Sequence, residues 1–266
     1  MIKLVITDLD GTFLNSQGTF EQQEYLRVRQ LMKEKNVTFA ACTGKQCERV
    51  EELFGPELAA DLWILGDSAT RIKHDGQYVY ESLLNHELGQ RIIAKLESIA
   101  IDHVVIACTP SAAFVKSTTP AEEMQRVRGS YTVVKTVEDY SEITEDFIKI
   151  TVFDAKQRCF EHVSQLTEFD EVAYIVASEA AWIDISNRGV HKGTTVKALQ
   201  QLLGVTKDET VTFGDGLNDL ELMEAATYSF AMANAFDEVK QAARFVTKSN
   251  DENGVLLTIE QLLAEL

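Results

Sequence analysis

A doubly wound α/β sheet interrupted by a smaller α+β unit is the fold class this 266-residue sequence predicts, on three observations. Short apolar, β-branched runs at residues 2–7, 37–42 and 209–213 are each cut off by a polar cluster, the pattern of parallel strands buried on both faces. Helical patterns separate them, and the order strand, helix, strand favours parallel pairing through right-handed crossovers. Between about residues 84 and 187 several closely spaced strands take over, and afterwards the first pattern resumes.

Taken in order, the first strand spans Ile2 to Thr7 and ends at Asp8-Leu9-Asp10-Gly11-Thr12. A helix over about 20–35 leads to the second strand, Val37 to Cys42, which ends at Thr43-Gly44. Leu62 to Leu65 reads as a third strand, and Thr70 to Tyr80 as a hairpin turning at Asp75-Gly76. The middle unit opens with a helix at about 85–99, strands near 103–107 and 113–116, and a helix near 120–128. Strands near 131–134 and 147–153, a helix near 155–167 and strands near 172–177 and 181–185 complete it as two βαβ-like stretches. After Gly189 come a helix at 192–203, a strand from Glu209 to Phe213, the turn Gly214-Asp215-Gly216, a helix at 217–225 and shorter alternating elements. The expected division is a core of residues 1–83 and 188–266 with residues 84–187 inserted. Ligands of open parallel sheets lie beyond the carboxyl ends of the strands, where the clusters after residues 7, 42 and 213 all fall.

Composition sets limits on partners. With 45% hydrophobic and 25% charged residues the balance is that of an ordinary globular protein. Forty-two acidic against 25 basic side chains give a net charge of −17, which disfavours broad nucleic-acid binding and an anionic membrane surface. A small anionic substrate stays open, because local cations set the field inside a pocket. Cys42, Cys47, Cys108 and Cys159 are scattered without metal-like spacing, so a reduced compartment is the simpler reading. Asp8 arrives too early for a signal peptide and no apolar run is long enough for a bilayer, so a soluble cytoplasmic protein is expected. There is no repeat at a fixed period and no low-complexity tract.

Asp8 and Asp10 leave a buried strand two positions apart, which in an extended segment puts both side chains on one side. Carboxylates this close are costly unless a cation or a proton is shared. A plain turn also accounts for Asp-x-Asp-Gly-Thr taken alone. A second acidic turn, Gly214-Asp215-Gly216-Leu217-Asn218-Asp219, supplies Asp215, Asn218 and Asp219 for a hard-oxygen site suited to Mg²⁺.

Asp8-Leu9-Asp10-Gly11-Thr12, Thr43-Gly44, Lys192-Gly193 and Gly214-Asp215-Gly216-Leu217-Asn218-Asp219, in that order, resemble the four motifs of the haloacid dehalogenase-like phosphatases. Ser249-Asn250-Asp251-Glu252-Asn253-Gly254-Val255 resembles the Cof-type branch of that superfamily. The resemblance covers the whole chain and implies a Rossmann-like core with the middle unit as an α+β cap. It further implies that Asp8 is a nucleophile that becomes an aspartyl-phosphate, and Asp10 the acid that protonates the leaving alcohol and then the base that activates water. Mg²⁺ would be held by Asp8, the Asp10 carbonyl and Asp215, with Asp219 binding a metal-coordinated water or anchoring the loop. Thr43, Gly44, Lys192, Asn218 and the amides of Leu9 and Asp10 would bind the phosphoryl group, whose transfer depends on positioning and electrostatics.

Each member has a plainer reading. Lys192 starts a helix and lysines there are ordinarily solvated; Thr43 suits a helix N-cap, and Asn218 and Asp219 also sit where caps are common. His191 reads as a surface residue, Cys42 and Cys47 as packing, and Trp63 and Trp182 as core or cap packing. Two departures from the branch stand out: Lys45 in place of arginine after Thr43-Gly44, and Asp67-Ser68-Ala69 in place of Asn-Gly-Ala. If the latter loop faces substrate, Asp67 disfavours highly anionic leaving groups and can bond a sugar hydroxyl. Candidate cap contacts are His103, Lys116, Arg126 and Arg128. The implied activity is Mg²⁺-dependent hydrolysis of a small phosphorylated metabolite, such as a sugar phosphate, by a monomer or weak homodimer. A phosphosugar mutase, which returns the phosphoryl group to a sugar, and a non-catalytic phosphometabolite sensor are the alternatives; a sensor is expected to lack the nucleophile or the acid, and both are present.

Overall fold

A computed structural model describes residues 1–264. Strands β1 (Leu4–Thr7), β2 (Thr38–Cys42), β3 (Trp63–Gly66), β4 (Arg71–His74) and β5 (Gln77–Glu81) form one part of a sheet, with α1 (Gln22–Glu34) and α2 (Cys47–Ala59) between its first three strands. The intervening segment contains α3 (His86–Ile99), β6 (Val104–Cys108), β7 (Ala113–Lys116), α4 (Ala121–Ser130) and β8 (Val134–Val137). It continues through β9 (Lys149–Phe153), α5 (Cys159–Val163), β10 (Ala173–Glu179) and β11 (Trp182–Asn187). The chain then returns with α6 (Lys192–Leu203), β12 (Thr210–Gly214), α7 (Leu220–Glu224), β13 (Tyr228–Ala231), α8 (Asp237–Ala242), β14 (Phe245–Val246) and α9 (Gly254–Ala264).

The first sheet has the order β14-β13-β12-β1-β2-β3-β4-β5, parallel from β14 to β3 and antiparallel through the β4–β5 hairpin. Its hairpin turns at Asp75 and Gly76, both with positive φ, as the twist of a tight hairpin requires. Leu4 to Thr7 are buried on both faces, which is why β1 can occupy the centre of the sheet. The chain moves outward from β1 through β2 and β3 on one side, and through β12 to β14 on the other. The crevice beyond the ends of β1 and β12 is therefore the point where strand order reverses, the preferred ligand position in such sheets. Thr7 pairs with Phe213 across it. Beneath the sheet Phe13, Phe20, Tyr25, Phe39 and Phe54 pack with ring centroids 4.9–5.8 Å apart. Each such buried ring contributes about 1.5–3 kcal/mol.

The second sheet has the order β10-β11-β9-β6-β7-β8. It is antiparallel except for β7 with β8, which α4 joins as a βαβ unit. The segments β9, α5 and β10 form another, with β11 inserted between its strands. An apolar core of its own, with Phe147 wholly buried, lies under this sheet. The expected helix near 155–167 is reduced to the five residues of α5. Asp154 accepts bonds from the Lys156 and Arg158 amides (3.1 and 3.0 Å) and Gln157 adopts positive φ, a turn that stops a continuous helix. The strand expected at 131–134 lies instead at Val134–Val137, because Tyr131 ends α4 and β7 pairs from Ala113 with Val134. Among the described residues no helix is long and apolar enough to cross a membrane.

Candidate active site

The four motif segments converge at the β1–β12 crevice. Asp8 follows β1, with its backbone N–H bonded to Phe213 O (3.0 Å), and Asp215 follows β12. Lys192 begins α6 and is buried at 3% exposure, contrary to the ordinary solvated lysine. Its Nζ donates to Asp8 Oδ1 (2.7 Å) and Asp219 Oδ1 (2.6 Å). Two glycines permit this crowding. A Cβ on Gly11, whose φ is +75°, would lie 2.3 Å from Asp215 Oδ2, and one on Gly193 would lie 2.5 Å from the Glu221 carbonyl where α6 packs on α7.

Carboxylate oxygens of Asp8, Asp215 and Asp219 all lie within 4.8 Å of one another. Burial pushes the Asp8 carboxyl well above the usual range, against the pull of the Lys192 ammonium, with Asp219 and Asp215 adding to the rise. Burial, then the Asp219 charge, pushes Asp215 up to about 7, although the Thr12 hydroxyl donates to it at 2.5 Å. Asp8 and Asp219 share one ammonium, Asp215 stands beside them without a cation of its own, and the donors are hard oxygens. The set fits a small divalent cation that retains waters. Asp219 is fully buried and its Oδ2 accepts from the Asp215 and Gly216 amides (2.9 and 3.0 Å), so it braces the loop that carries Asp215 and Asn218.

Asp10 stands outside this cluster. Its carboxyl is 56% exposed and pairs with Lys45 Nζ at 2.8 Å, which gives the lysine at this position a single-point contact. Burial and the Asp10 charge hold the nearby Glu179 carboxyl above its ordinary value. The Leu9 side chain is fully buried in the core, so only its backbone is available to the site. Thr43 does not cap α2, whose N-cap is Gln46; its Oγ1 accepts instead from the Lys45 amide (3.2 Å). Asp8, Asp10, Thr43, Gly44, Asp215 and Asn218 line a cleft of roughly 630 Å³ together with Tyr131 at the end of α4 and residues of the second sheet, among them Lys149, Thr151, Glu179, Trp182 and Asp184. Trp182, expected as packing, does pack on Phe153 at 4.9 Å and also lines the cleft.

The four cap candidates do not line it. His103 and Lys116 border a separate cavity with Glu97, Asp102 and Tyr140, Arg126 stacks over the Phe153 ring at 4.7 Å, and Arg128 offers its carbonyl to Arg49. His191 is half-buried at the N-cap of α6 beside Tyr174. The residues that sequence reasoning missed are Lys149 and Asp184; the signal was a charge inside each of two otherwise apolar strand patterns.

The Asp67 expectation is corrected. Asp67, Ser68 and Ala69 all take positive φ (54°, 59° and 63°), which turns Asp67 inward to 1% exposure, beside the Arg71 and Lys149 charges. Burial pushes its carboxyl from 3.8 up to about 6 despite those cations. Below about pH 4 folded and unfolded chains both hold the proton; as pH rises to about 6 only the folded chain keeps it, and stability falls by up to about 3 kcal/mol. Asp67→Asn is expected to raise Tm relative to the parent at about pH 8 and not at about pH 4, with relative kcat/KM across phosphorylated metabolites unchanged. An equal Tm difference at both pH values, or altered substrate preference, contradicts this placement.

Comparison with known proteins agrees with this geometry. A family model for haloacid dehalogenase-like hydrolases matches residues 5–259. The 5-amino-6-(5-phospho-D-ribitylamino)uracil phosphatase YbjI of Escherichia coli (strain K12) is 27% identical over 263 residues, which cover 98% of this chain and 96% of that protein. A Bacillus subtilis (strain 168) phosphatase of the same name, YwtE, is 26% identical over 289 residues, covering 99% of each. The solved structure of SMU.1108c from Streptococcus mutans UA159 superposes with a TM-score of 0.94 at 29% identity, covering 99% of this chain and 100% of that one. The chain therefore belongs to the haloacid dehalogenase-like hydrolases, in their Cof-type branch, and is a phosphatase.

Proposed function

We propose that this phosphatase hydrolyses small phosphomonoesters, sugar and polyol phosphates foremost, by way of a phosphoryl group carried transiently on Asp8. The observation that carries the reading is the Asp8 carboxylate at the end of β1, bonded to the buried Lys192 and facing a cleft of metabolite size. In this reading residues 1–83 and 188–266 form the catalytic core and residues 84–187 the cap. Two relatives named for a phosphate ester on a ribityl chain support the substrate class. So does the mixture of Trp182 and Tyr131 with Thr151, Ser178 and Glu179 around the cleft.

Lys192 holds Asp8 Oδ1, leaving the other carboxylate oxygen to attack phosphorus. As the P–O bond to the alcohol breaks, Asp10 gives its proton to the departing oxygen. Asp10 then takes a proton from water as that water attacks the aspartyl-phosphate, which releases phosphate and restores the Asp8 carboxylate. Thr43, the Gly44 amide, the Leu9 and Asp10 amides and Asn218 donate to the phosphoryl oxygens, where charge accumulates. Asp8, Asp215 and the Asp10 carbonyl would hold Mg²⁺, with Asp219 in support; when bound, the ion supplies positive charge to the phosphoryl oxygens. A cleft closed by a cap limits leaving-group size and excludes bulk water.

Phosphate release across a panel of phosphorylated metabolites, with Mg²⁺ and after chelation, tests this reading. Release from sugar or polyol phosphates that disappears on chelation and returns with Mg²⁺ is expected. Release indifferent to chelation, or none from any small phosphomonoester, contradicts it.

A further inference from the structure

The cap places one cation against the core that the steps above do not use. Lys149 opens β9 in the buried run Phe147-Ile148-Lys149-Ile150 and is only 2% exposed. A buried ammonium is costly unless paired and hydrogen-bonded. Within the cap its partner is Asp184 of β11, with Nζ 3.4 Å from Oδ1. The same Asp184 oxygen accepts from Thr151 Oγ1 (2.7 Å); against burial, the Lys149 charge and then the Thr151 and Ser68 hydroxyls hold the Asp184 carboxyl below its ordinary range.

Toward the core, Lys149 Nζ donates to Ser68 Oγ (3.0 Å) and to the Gly44 carbonyl (2.8 Å). Ser68 in turn donates to Asp184 (2.9 Å), from the middle of three consecutive left-handed residues. Non-glycine residues in that conformation cost about 1–2 kcal/mol each and persist only where their surroundings over-determine them. The Ser68 amide also donates to the Thr43 carbonyl (3.2 Å), so the strained loop braces the same segment.

The Gly44 contact carries the consequence. A carbonyl and the N–H that follows it lie in one rigid plane, so fixing Gly44 O fixes the Lys45 N–H. That N–H donates to Thr43 Oγ1 at 3.2 Å. A threonine hydroxyl has one hydrogen; with its oxygen accepting from Lys45, that hydrogen is left for an acceptor in the cleft that Thr43 lines.

We propose that Lys149 is a positioning residue through which a seated cap sets the Thr43 hydroxyl as a phosphoryl-oxygen donor. The cap thus helps to order the phosphate site in addition to covering it. The inference rests on the mechanism proposed above, in which Thr43 contacts the phosphoryl group.

The test is a double-mutant cycle of Lys149→Met and Thr43→Ala, read by turnover of p-nitrophenyl phosphate and inhibition by orthovanadate. Thr43→Ala alone is expected to lower kcat by about 10²-fold. Lys149→Met alone is expected to lower kcat by about tenfold with a much smaller change in KM, and to weaken orthovanadate inhibition in parallel. In the Thr43→Ala background, Lys149→Met is expected to add less than about twofold. Lys149→Arg, which keeps a donor, is expected to recover most of the loss. Equal losses from Lys149→Met in both backgrounds, or no loss at all, overturn the inference. Should Lys149→Met not fold, Asp184→Asn weakens the anchor of Lys149 instead; a loss dependent on Thr43 supports the inference and an independent one overturns it. Asp8→Asn separates the two readings: turnover by that variant defeats the mechanism, whereas an inactive variant with multiplicative Lys149 and Thr43 effects defeats only the Lys149 inference.

Discussion

Asp8→Asn is expected to lower phosphate release by about 10⁴-fold or more while leaving the fold intact, because an amide cannot serve as the attacking carboxylate. The fold is expected to survive for an electrostatic reason. Burial, together with the Asp219 and Asp215 charges, already disfavours the ionised Asp8 side chain. Removing its charge relieves that crowding, and Lys192 keeps its bond to Asp219 (2.6 Å). Calorimetry should therefore give a Tm no lower than the parent's without added metal. Near-parental phosphate release by the variant contradicts the role assigned to Asp8.

Lys192→Met is expected to produce the second largest effect, and on two observables. It removes the ammonium shared by Asp8 and Asp219, leaving the three carboxylates within 4.8 Å of one another without it. Deleting one partner of a buried ion pair costs about 3–5 kcal/mol, and the cost should shrink at lower pH as the carboxylates take up protons. Loss of a fixed positive charge beside the phosphoryl group should lower kcat/KM by about 10³-fold. Added Mg²⁺ is expected to recover part of the Tm and little of the activity. Phosphate release within about tenfold of the parent in the presence of Mg²⁺ would assign Lys192 a purely structural role.

What the sequence made legible was local. Asp8, Thr43 and Asp215 each interrupt a buried strand at its carboxyl end, and that contrast is readable without knowing what lies across the crevice. The order of these segments along the chain was enough to suggest the sheet. Long-range seating was not legible. Lys149 and Gly44 are 105 residues apart, and their contact depends on the register of β9 with β11 and on how the second sheet rests against the loop after β3. The same limit misplaced Asp67: it lies buried in a run of three left-handed residues, and although aspartate by itself tolerates that conformation, Ser68 and Ala69 do not announce that the run continues through them. Lys45 was recognised as a departure, but its pairing with Asp10 across the cleft mouth needed coordinates.

The pairing of charges also refines the meaning of the net −17. Acidic excess describes the surface as a whole, while the crevice holds the buried ammonium of Lys192 beside Asp8 and Asp219, and the cleft in front of it that of Lys149 beside Asp184. An acidic protein can in this way receive an anionic ester.

The most direct measurement is a single turnover of a radiolabelled phosphomonoester with Mg²⁺, quenched in acid, digested and mapped by mass. The mechanism predicts label on the peptide that carries Asp8, at that side chain, and none in Asp8→Asn. A protein that releases phosphate without ever becoming labelled, or whose label persists when Asp8 is replaced, contradicts it.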